Sequence, residues 1–402
     1  MLHFHYRCSQ CGKEYNRYEV RYLCPQCSVD YRFGEPLRGV LEAIFDYEFI
    51  SQYFDKANPD WSLFSPVEVE YFPDFPVGNT PFFRANRLCE NLGLENIYIK
   101  NDGLNPSGSL KDRASFLVVA EAIRLSEDKI VTASTGNAAS ALAAVCAHAN
   151  KKAVIFAPAN APRAKLVQII LYGANLVTVD GTYDDTFRLS LEYTRQFGGL
   201  NRNTAYHPLT IEGKKTVALE IFAQNNFSAP DTIIAPVGDG VIISGVYKGF
   251  WDLKQAGLVE RIPRLICVQA EGSAAIHNFI ATGKYANVSP KTIADSISVS
   301  TPSNAYLAKR AVEESGGFSI TVSDDEIKYG QSYLARMTGV FAEPAASATV
   351  AALLKMDKSI FRKDEKIVLL ITGNGLKDID VPLGYIALPK PIKPVIEAVP
   401  RI

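Results

Sequence analysis

The stretch Asn105-Pro-Ser-Gly-Ser-Leu-Lys-Asp-Arg113 determines how the rest of this 402-residue chain is interpreted. It begins as a turn, because its proline fixes φ and Gly108 permits unusual dihedral angles. From Ser109 onward it has the features of a helix start, with an acidic residue in the first turn. Lys111 then lies beside exposed backbone N–H groups and the positive end of a helix dipole, which both disfavour its protonated form. This position suits a Schiff-base nucleophile, whereas the same lysine in isolation would be an ordinary surface residue.

The same segment resembles the N-P-[ST]-[GR]-S-[FL]-K-D-R signature of fold-type II pyridoxal phosphate (PLP) enzymes. In that family the signature lysine binds the cofactor covalently. The resemblance therefore implies that PLP is the cofactor and that Lys111 is both catalytic and cofactor-binding. Within this family the chain is most similar to threonine synthases.

The overall composition argues against a membrane protein or a nucleic-acid-binding protein. With 402 residues the chain is long enough for two or three domains and a sizeable core. No apolar run approaches the ~18 residues of a membrane span, and the first residues lack a signal-peptide pattern. The formal net charge of −1 gives no global attraction to nucleic acid or anionic lipid. We therefore expect a soluble cytoplasmic protein with a small-molecule substrate.

Four of the seven cysteines form two matched pairs, Cys8-x2-Cys11 and Cys24-x2-Cys27. Two thiolates on one tight turn can both face a tetrahedral ion, and a second turn of the same kind completes a four-sulfur shell. This spacing predicts a structural Zn²⁺ site in a zinc-ribbon-like segment over residues 1–34. Reduced thiols of a ribbon without metal, or a redox pair, are the alternatives.

Beyond this segment, the hydrophobic pattern predicts an α/β protein. Residues 40–47 have the pattern of an amphipathic helix, and near-continuous apolar strands then alternate with helices. The predicted strands cover residues 97–100, 129–133, 153–157, 175–179, 232–236, 264–269 and 366–371. Such alternation is typical of parallel sheets covered on both faces, with ligands at the carboxyl ends of the strands. We expect two doubly wound parallel-sheet lobes with a PLP cleft between them, in a catalytic region over 35–402 whose smaller inserted lobe covers about 112–205.

A polar loop follows the strand at 129–133 and opens the next predicted helix. Its hydroxyl groups, its side-chain amide and the first N–H groups of the helix can converge on a carboxylate. The family resemblance assigns substrate binding to Ser134, Thr135 and Asn137, and it also gives Asn137 a hydrogen bond to the cofactor's ring hydroxyl. An ordinary N-cap is the structural alternative.

A second loop, formed by Gly238, Asp239, Gly240, Val241 and Ile242, follows the strand at 232–236. Strand-to-helix loops that contain several glycines present backbone N–H groups to phosphate. We expect these five residues to bind the cofactor phosphate mainly through the main chain. An acidic side chain beside a phosphate is repulsive, so we expect Asp239 to point away and cap the backbone of its own loop.

Two further segments resemble family motifs. Residues 370–378 are similar to L-T-G-[HN]-G-L-K-D, and Thr372 matches the hydroxyl residue that meets the pyridine nitrogen of the cofactor. Residues 343–348 are similar to E-P-A-S-A-A. For Glu343, a capped and proline-started helix explains the motif as well as a direct catalytic role does.

Two departures concern phosphate recognition. Thr210 stands where the threonine synthase pattern N-P-[YF]-R-I-E-G has its arginine, and residues 296–302 lack the arginine of the pattern I-R-I-G-N-P. Guanidinium groups are the usual means of gripping a phosphate monoester. Arg163, Lys165 or Lys214 is the cation that would compensate.

The function that follows is a PLP-dependent lyase that converts O-phospho-L-homoserine and water to L-threonine and phosphate. A threonine or serine ammonia-lyase, or a cysteate synthase-like β-replacement on O-phosphoserine, is the alternative within the family. A nucleic-acid or protein-binding module built on the cysteine segment is the alternative outside it, and the balanced charge gives it no support. A homodimer is implied by the resemblance alone.

Overall fold

The computed structural model describes residues 4–134, 136–159, 163–396 and 399–400, and only the backbone over 163–165. Within these ranges the strands are, in chain order, β1 (Phe4–Cys8), β2 (Glu14–Tyr15), β3 (Leu41–Phe45), β4 (Phe82–Arg84), β5 (Asn96–Asn101), β6 (Lys129–Ala133), β7 (Lys152–Pro158), β8 (Asn175–Val179), β9 (Leu200–Asn201), β10 (Thr232–Pro236), β11 (Arg264–Ala270), β12 (Phe318–Val322) and β13 (Lys366–Ile371).

The helices of the described residues are α1 (Tyr47–Tyr53), α2 (Asn86–Leu92), α3 (Lys111–Arg124), α4 (Asn137–His148), α5 (Arg163–Leu171), α6 (Tyr183–Phe197), α7 (Leu209–Gln224), α8 (Val241–Gln255), α9 (Ala275–Thr282), α10 (Ala305–Glu314), α11 (Asp324–Thr338), α12 (Pro344–Lys355) and α13 (Asp380–Leu383). None of these helices combines the length and hydrophobicity of a membrane span.

The N-terminal part forms a small antiparallel sheet in the order β2-β1-β3. The helix predicted for residues 40–47 is wrong, because β3 pairs with β1 along its whole length, from Leu41 opposite Cys8 to Phe45 opposite Phe4. Leu41, Ala43 and Phe45 recur with the period of two that fits a strand, and all three are buried. A helix follows directly as α1, whose first turn is capped by the side chain of Asp46.

Two larger sheets form the body of the protein. The six-stranded sheet has the order β12-β11-β10-β13-β5-β4, and all its neighbours run parallel except the edge pair β4 and β5. The four-stranded sheet, β8-β7-β6-β9, is parallel throughout. The predicted α/β class is confirmed, and all seven strands expected in the α/β region are present. The domain boundaries stay a prediction.

Helices α3, α7 and α8 pack closely against one another beside the site. A Cβ atom at Gly213 of α7 would overlap the carbonyl oxygen of Arg113 in α3. Similarly, a Cβ atom at Gly249 of α8 would lie 2.7 Å from the Cβ of Ala218. These glycines allow the three helices to approach closely, so that side chains on their facing ends share one cleft.

Candidate active site

The turn before α3 is fixed against the loop that follows β13. The N–H of Leu110 donates to the carbonyl of Thr372 over 2.9 Å, and the N–H of Asn374 donates to the carbonyl of Gly108 over 3.0 Å. Gly108 adopts a φ of 85°, which favours glycine. Lys111, the first residue of α3, is therefore held beside Thr372 by backbone hydrogen bonds.

The acidic neighbour of the lysine stabilises the same turn. Asp112 accepts a hydrogen bond of 2.7 Å from the N–H of Ser107 and a second one from the Ser107 hydroxyl. Burial raises the pKa of Asp112 to about 6, although the hydrogen bonds from Ser107 oppose this effect. Asp112 thus holds the turn that positions Lys111.

Arg113 anchors the start of α3 in a buried ionic network. Its Nε donates to Asp102 over 2.6 Å, and its Nη1 donates to Glu220 of α7 over 2.6 Å. Lys100 of β5 contacts the other oxygen of Glu220 at 2.6 Å. The network joins β5, α3 and α7 behind the cleft. Of the three consecutive charged residues Lys111, Asp112 and Arg113, only Lys111 lines the cleft.

The cleft is a cavity of about 260 Å³ at the carboxyl ends of strands from both larger sheets. This is where open α/β sheets bind ligands. The structure brings together here all of the predicted cofactor- and substrate-binding residues that it describes, together with charged residues from elsewhere. The residues of interest are Lys111, Ser134, Asn137, Arg202, Lys214, Gly238, Asp239, Gly240, Val241, Ile242, Glu343 and Thr372.

The amine of Lys111 is suited to nucleophilic chemistry. Its burial in the cleft lowers its pKa to about 8, the charge of Glu343 opposes this change, and the charge of Arg202 reinforces it. A larger fraction of the amine is therefore neutral at physiological pH than for an exposed lysine. A neutral amine is the form that attacks a carbonyl carbon.

Glu343 lines the cleft, whereas the sequence left open whether it has a direct role there or only belongs to a capped helix. It is only 2% exposed, and its side chain makes no capping hydrogen bond to α12. The Nδ2 of Asn137 donates to Glu343 over 2.8 Å, and the hydroxyl of Ser296 donates to it over 3.2 Å. A Cβ atom at Gly373 would overlap the carboxylate of Glu343, so this position requires glycine.

Asn137 is the first residue of α4 and has a buried side chain. Its Oδ1 has no hydrogen-bond partner among the described residues. A buried amide with an unused polar atom in a cavity indicates a ligand group at that position. Ser134 also lines the cavity, whereas Thr135 lies outside the described residues.

The loop before α8 has the form of a phosphate cradle. Gly240 has a φ of 90°, and a Cβ there would lie 2.9 Å from the backbone oxygen of Asn304. The N–H groups of Gly238 and Gly240 have no backbone acceptor within the described ranges. The first N–H groups of α8, at Val241 and Ile242, lack an intrahelical acceptor, as at every helix start. These donors fit a phosphate dianion.

The expectation that the side chain of Asp239 caps its own loop is wrong. Its carboxylate accepts hydrogen bonds from the N–H and the hydroxyl of Ser303, at 2.6 and 2.8 Å. Burial raises its pKa to about 6, against the effect of those two hydrogen bonds. Asp239 therefore ties the loop to the segment before α10.

Arg202 is a site residue that the sequence interpretation missed. It follows β9, at the carboxyl end of a parallel strand, which is the one signal that would have found it. Burial lowers its pKa to about 10. Lys214 of α7 also lines the cavity, whereas the side chains of Arg163 and Lys165 lie outside the description.

The four paired cysteines converge at a separate place. Their Sγ atoms all lie within 4.8 Å of one another, and the Cys8–Cys27 and Cys11–Cys24 separations are both 3.8 Å. Sulfur atoms on a tetrahedron about 2.3 Å from a Zn²⁺ ion lie about 3.8 Å apart, so the donor set fits this ion. The hydroxyl of Tyr15 lies 3.0 Å from the sulfur of Cys24.

Comparison with known sequences gives the following matches. A family model described as pyridoxal-phosphate dependent enzyme matches residues 74–373. Threonine synthase from Methanosarcina acetivorans is 36% identical over 385 residues, which cover 93% of this chain and 92% of the relative. Threonine synthase from Methanocaldococcus jannaschii is 36% identical over 406 residues, which cover 96% of each chain.

Solved structures match the same body of the protein. A maize serine racemase has a TM-score of 0.64 at 23% identity and covers 77% of this chain and 91% of its own. The processed form of threonine deaminase isoform 2 from Solanum lycopersicum has a TM-score of 0.63 at 23% identity, with coverages of 76% and 86%. At these identities the likeness shows the fold alone.

Proposed function

We propose that this chain, which belongs to the family of pyridoxal-phosphate dependent enzymes, is a threonine synthase that converts O-phospho-L-homoserine and water to L-threonine and phosphate. The choice of reaction is supported by relatives of that name at 36% identity over more than nine tenths of the chain. The structural observation behind the proposal is Lys111, which lies in the cleft with a lowered pKa, beside Thr372 and the glycine loop of α8.

Several residues of the cleft would hold the cofactor. Lys111 would bind its aldehyde carbon, the main chain of residues 238–242 its phosphate, Asn137 its ring hydroxyl and Thr372 its ring nitrogen. When bound, PLP supplies an electron sink for the carbanion that forms at Cα of the substrate. The Thr372 hydroxyl is a neutral partner and does not enforce a proton on the ring nitrogen, as a carboxylate would.

The residues around the substrate have separate tasks. Ser134, Thr135 and the first N–H groups of α4 would bind the α-carboxylate. Once it is no longer bound to the cofactor, the Nζ of Lys111 would accept the Cα proton, and its lowered pKa keeps part of the amine neutral for this role near neutral pH. In the overall reaction the Cγ–O bond breaks and phosphate leaves, Cγ gains a proton to become a methyl group, and Cβ loses a proton and gains the hydroxyl group of water.

The test is product analysis with the purified holoenzyme and O-phospho-L-homoserine. We expect threonine and phosphate in equal amounts. Release of 2-oxobutyrate from threonine or pyruvate from serine, with O-phospho-L-homoserine inert, would instead identify an ammonia-lyase. Turnover of O-phosphoserine alone would identify a β-replacement enzyme.

We also propose that Cys8, Cys11, Cys24 and Cys27 hold a structural Zn²⁺ ion. The 3.8 Å sulfur separations support this assignment. Elemental analysis of the Cys8→Ser/Cys11→Ser variant is expected to show less than one tenth of the wild-type zinc, and Cys146→Ala serves as a control outside the cluster. Full zinc retention in the double variant would exclude the site. The homodimer and the cytoplasmic location remain predictions.

A further inference from the structure

Two buried basic side chains, Arg202 and Lys214, line the cleft without an ion-pair partner among the described residues. Arg202 is 2% exposed and Lys214 is 4% exposed. Arg202 donates to the hydroxyl of Ser115 over 3.2 Å and to the carbonyl of Lys111 over 3.5 Å, which leaves most of its five N–H donors unused. In the described part of the chain, the side chain of Lys214 has no hydrogen bond, and neither Arg202 nor Lys214 forms an ion pair.

Two of the acids that line the cleft are hydrogen-bonded to other groups. Asp239 attracts Lys214, but its carboxylate is held by the N–H and hydroxyl of Ser303. Glu343 is held by Asn137 and Ser296. The other acids that line the cavity are Asp184 and Asp295.

A buried cation without a partner is expensive, so its presence indicates a ligand that supplies the negative charge. Burial lowers the pKa of Lys214, and repulsion from Lys111 and Arg202 adds to this effect. The cleft therefore holds three basic groups whose mutual repulsion disfavours the charged form of the two lysines, and a bound anion would favour that charged form again.

The two cations come from different parts of the fold. Arg202 follows β9 of the four-stranded sheet. Lys214 lies on α7, where a Cβ added at Gly245 of α8 would lie 2.9 Å from its Cβ. Lys214 thus approaches the cleft beside the first turns of α8, close to the glycine loop.

The position of Lys214 relates to the missing family arginine. Thr210 lies one helical turn earlier on α7, and its hydroxyl is bound to the carbonyls of Thr204 and His207. Thr210 does not line the cavity, whereas Lys214 does. Lys214 thus lies four residues after Thr210 and on the same side of α7.

We propose that Arg202 and Lys214 together bind a phosphate monoester dianion in the cleft, in place of the arginines that Thr210 and the segment 296–302 lack. The inference rests on the proposed function, since the dianion is either the leaving phosphate of the substrate or the phosphate of the cofactor. Both sources share the chemistry that a guanidinium and an ammonium recognise.

The first test is calorimetric binding of inorganic phosphate to the holoenzyme. We expect Lys214→Met and Arg202→Gln each to weaken phosphate binding about 10- to 100-fold, as for the loss of a charged hydrogen bond. Lys214→Arg should restore most of the affinity. Lys254→Met, at the exposed end of α8, is the control that keeps wild-type affinity.

Thermal unfolding in phosphate-free buffer separates ligand binding from a structural role. Lys214→Met should be at least as stable as the wild type there, because an unpaired buried charge is removed. Phosphate should then stabilise the wild type more than the variant. A variant that is less stable without phosphate and equally stabilised by it would contradict the proposal.

Two measurements identify the source of the dianion. A higher KM for O-phospho-L-homoserine with unchanged cofactor affinity assigns the pair to the substrate phosphate. Reduced preference of the cofactor-free protein for PLP over pyridoxal assigns it to the cofactor phosphate. Wild-type affinity for phosphate and an unchanged PLP preference in both variants would overturn the proposal.

The two proposals fail in different ways. If the wild type does not turn over O-phospho-L-homoserine, the proposed function fails. The affinity of the holoenzyme for inorganic phosphate and the PLP preference of the cofactor-free protein, each compared between the wild type and the variants Lys214→Met and Arg202→Gln, still decide the present inference.

Discussion

The lowered pKa of Lys111 leads to a quantitative prediction for the cofactor-free protein. With a pKa of about 8, about 9% of the amine is neutral at pH 7, compared with about 0.04% for a lysine of ordinary pKa, about 10.4. At pH 7, Lys111 should therefore react with electrophiles about 200-fold faster than a lysine of the same intrinsic nucleophilicity whose pKa is about 10.4.

The assay is acetylation with trace acetic anhydride between pH 6 and 11, followed by mass spectrometry of the peptide that contains Lys111. The rate should rise through a midpoint near pH 8 and then level off, because only the neutral amine reacts. The exposed Lys254 in the same sample is the internal reference. Limited access to the cleft would lower the plateau without moving the midpoint. A midpoint near pH 10 would refute the reasoning.

The same shift has a consequence for stability. The folded-state pKa lies below the unfolded one, so protonated Lys111 opposes folding below pH 8, and this effect disappears as the pH rises from 8 to about 10.4. In the cofactor-free protein at pH 7, Lys111→Met should therefore add about 3 kcal/mol to the free energy of unfolding measured in urea. The gain should vanish near pH 11. A variant less stable than the wild type at pH 7 would show that burial of the charged lysine does not destabilise the folded protein.

Three further predictions follow from the contacts around the site. Arg113→Met should lower the free energy of unfolding in urea by about 3–5 kcal/mol, because Asp102 stays buried without its cation. The Asp102→Asn/Arg113→Met double variant should recover part of this loss. A loss below about 1 kcal/mol for Arg113→Met would contradict the stabilising role of the network. Gly373→Ala should lower the free energy of unfolding by about 1–3 kcal/mol, because the added methyl group overlaps the carboxylate of Glu343. It should also lower cofactor occupancy, measured by absorbance. Full occupancy together with wild-type stability would contradict this contact. Thr372→Asp should lower the rate of phosphate release in a coupled assay, and unaltered turnover would argue against its place at the ring nitrogen.

The parallel-sheet framework could be predicted from the sequence because its strands are buried on both faces. Strand β10 is buried at every residue, and such continuous apolar segments are easily identified. Strand β12, at the edge of the six-stranded sheet, is mostly half-buried, and the sequence interpretation missed it. Strand β3 was taken for a helix, because its pairing with β1 is a long-range contact that local pattern does not contain.

The candidate site could be predicted where a local motif defines it. Lys111 and Thr372 lie in short motifs, and backbone hydrogen bonds hold them side by side. Arg202 belongs to no motif that the sequence interpretation used, and its role depends on which strand end meets the cleft. The orientation of Glu343 depends on its contacts with Asn137 and Ser296, which are distant in the chain. Partners of this kind are fixed by tertiary packing.

The most direct test of the account combines absorbance spectroscopy with product analysis on the wild type and Lys111→Ala. The wild type should show the absorption band of lysine-bound cofactor, and this band should change on addition of O-phospho-L-homoserine while threonine and phosphate appear. Lys111→Ala should lack both the band and the products. An unchanged band in Lys111→Ala, or a wild-type band that does not respond to O-phospho-L-homoserine and yields no phosphate, would contradict the account.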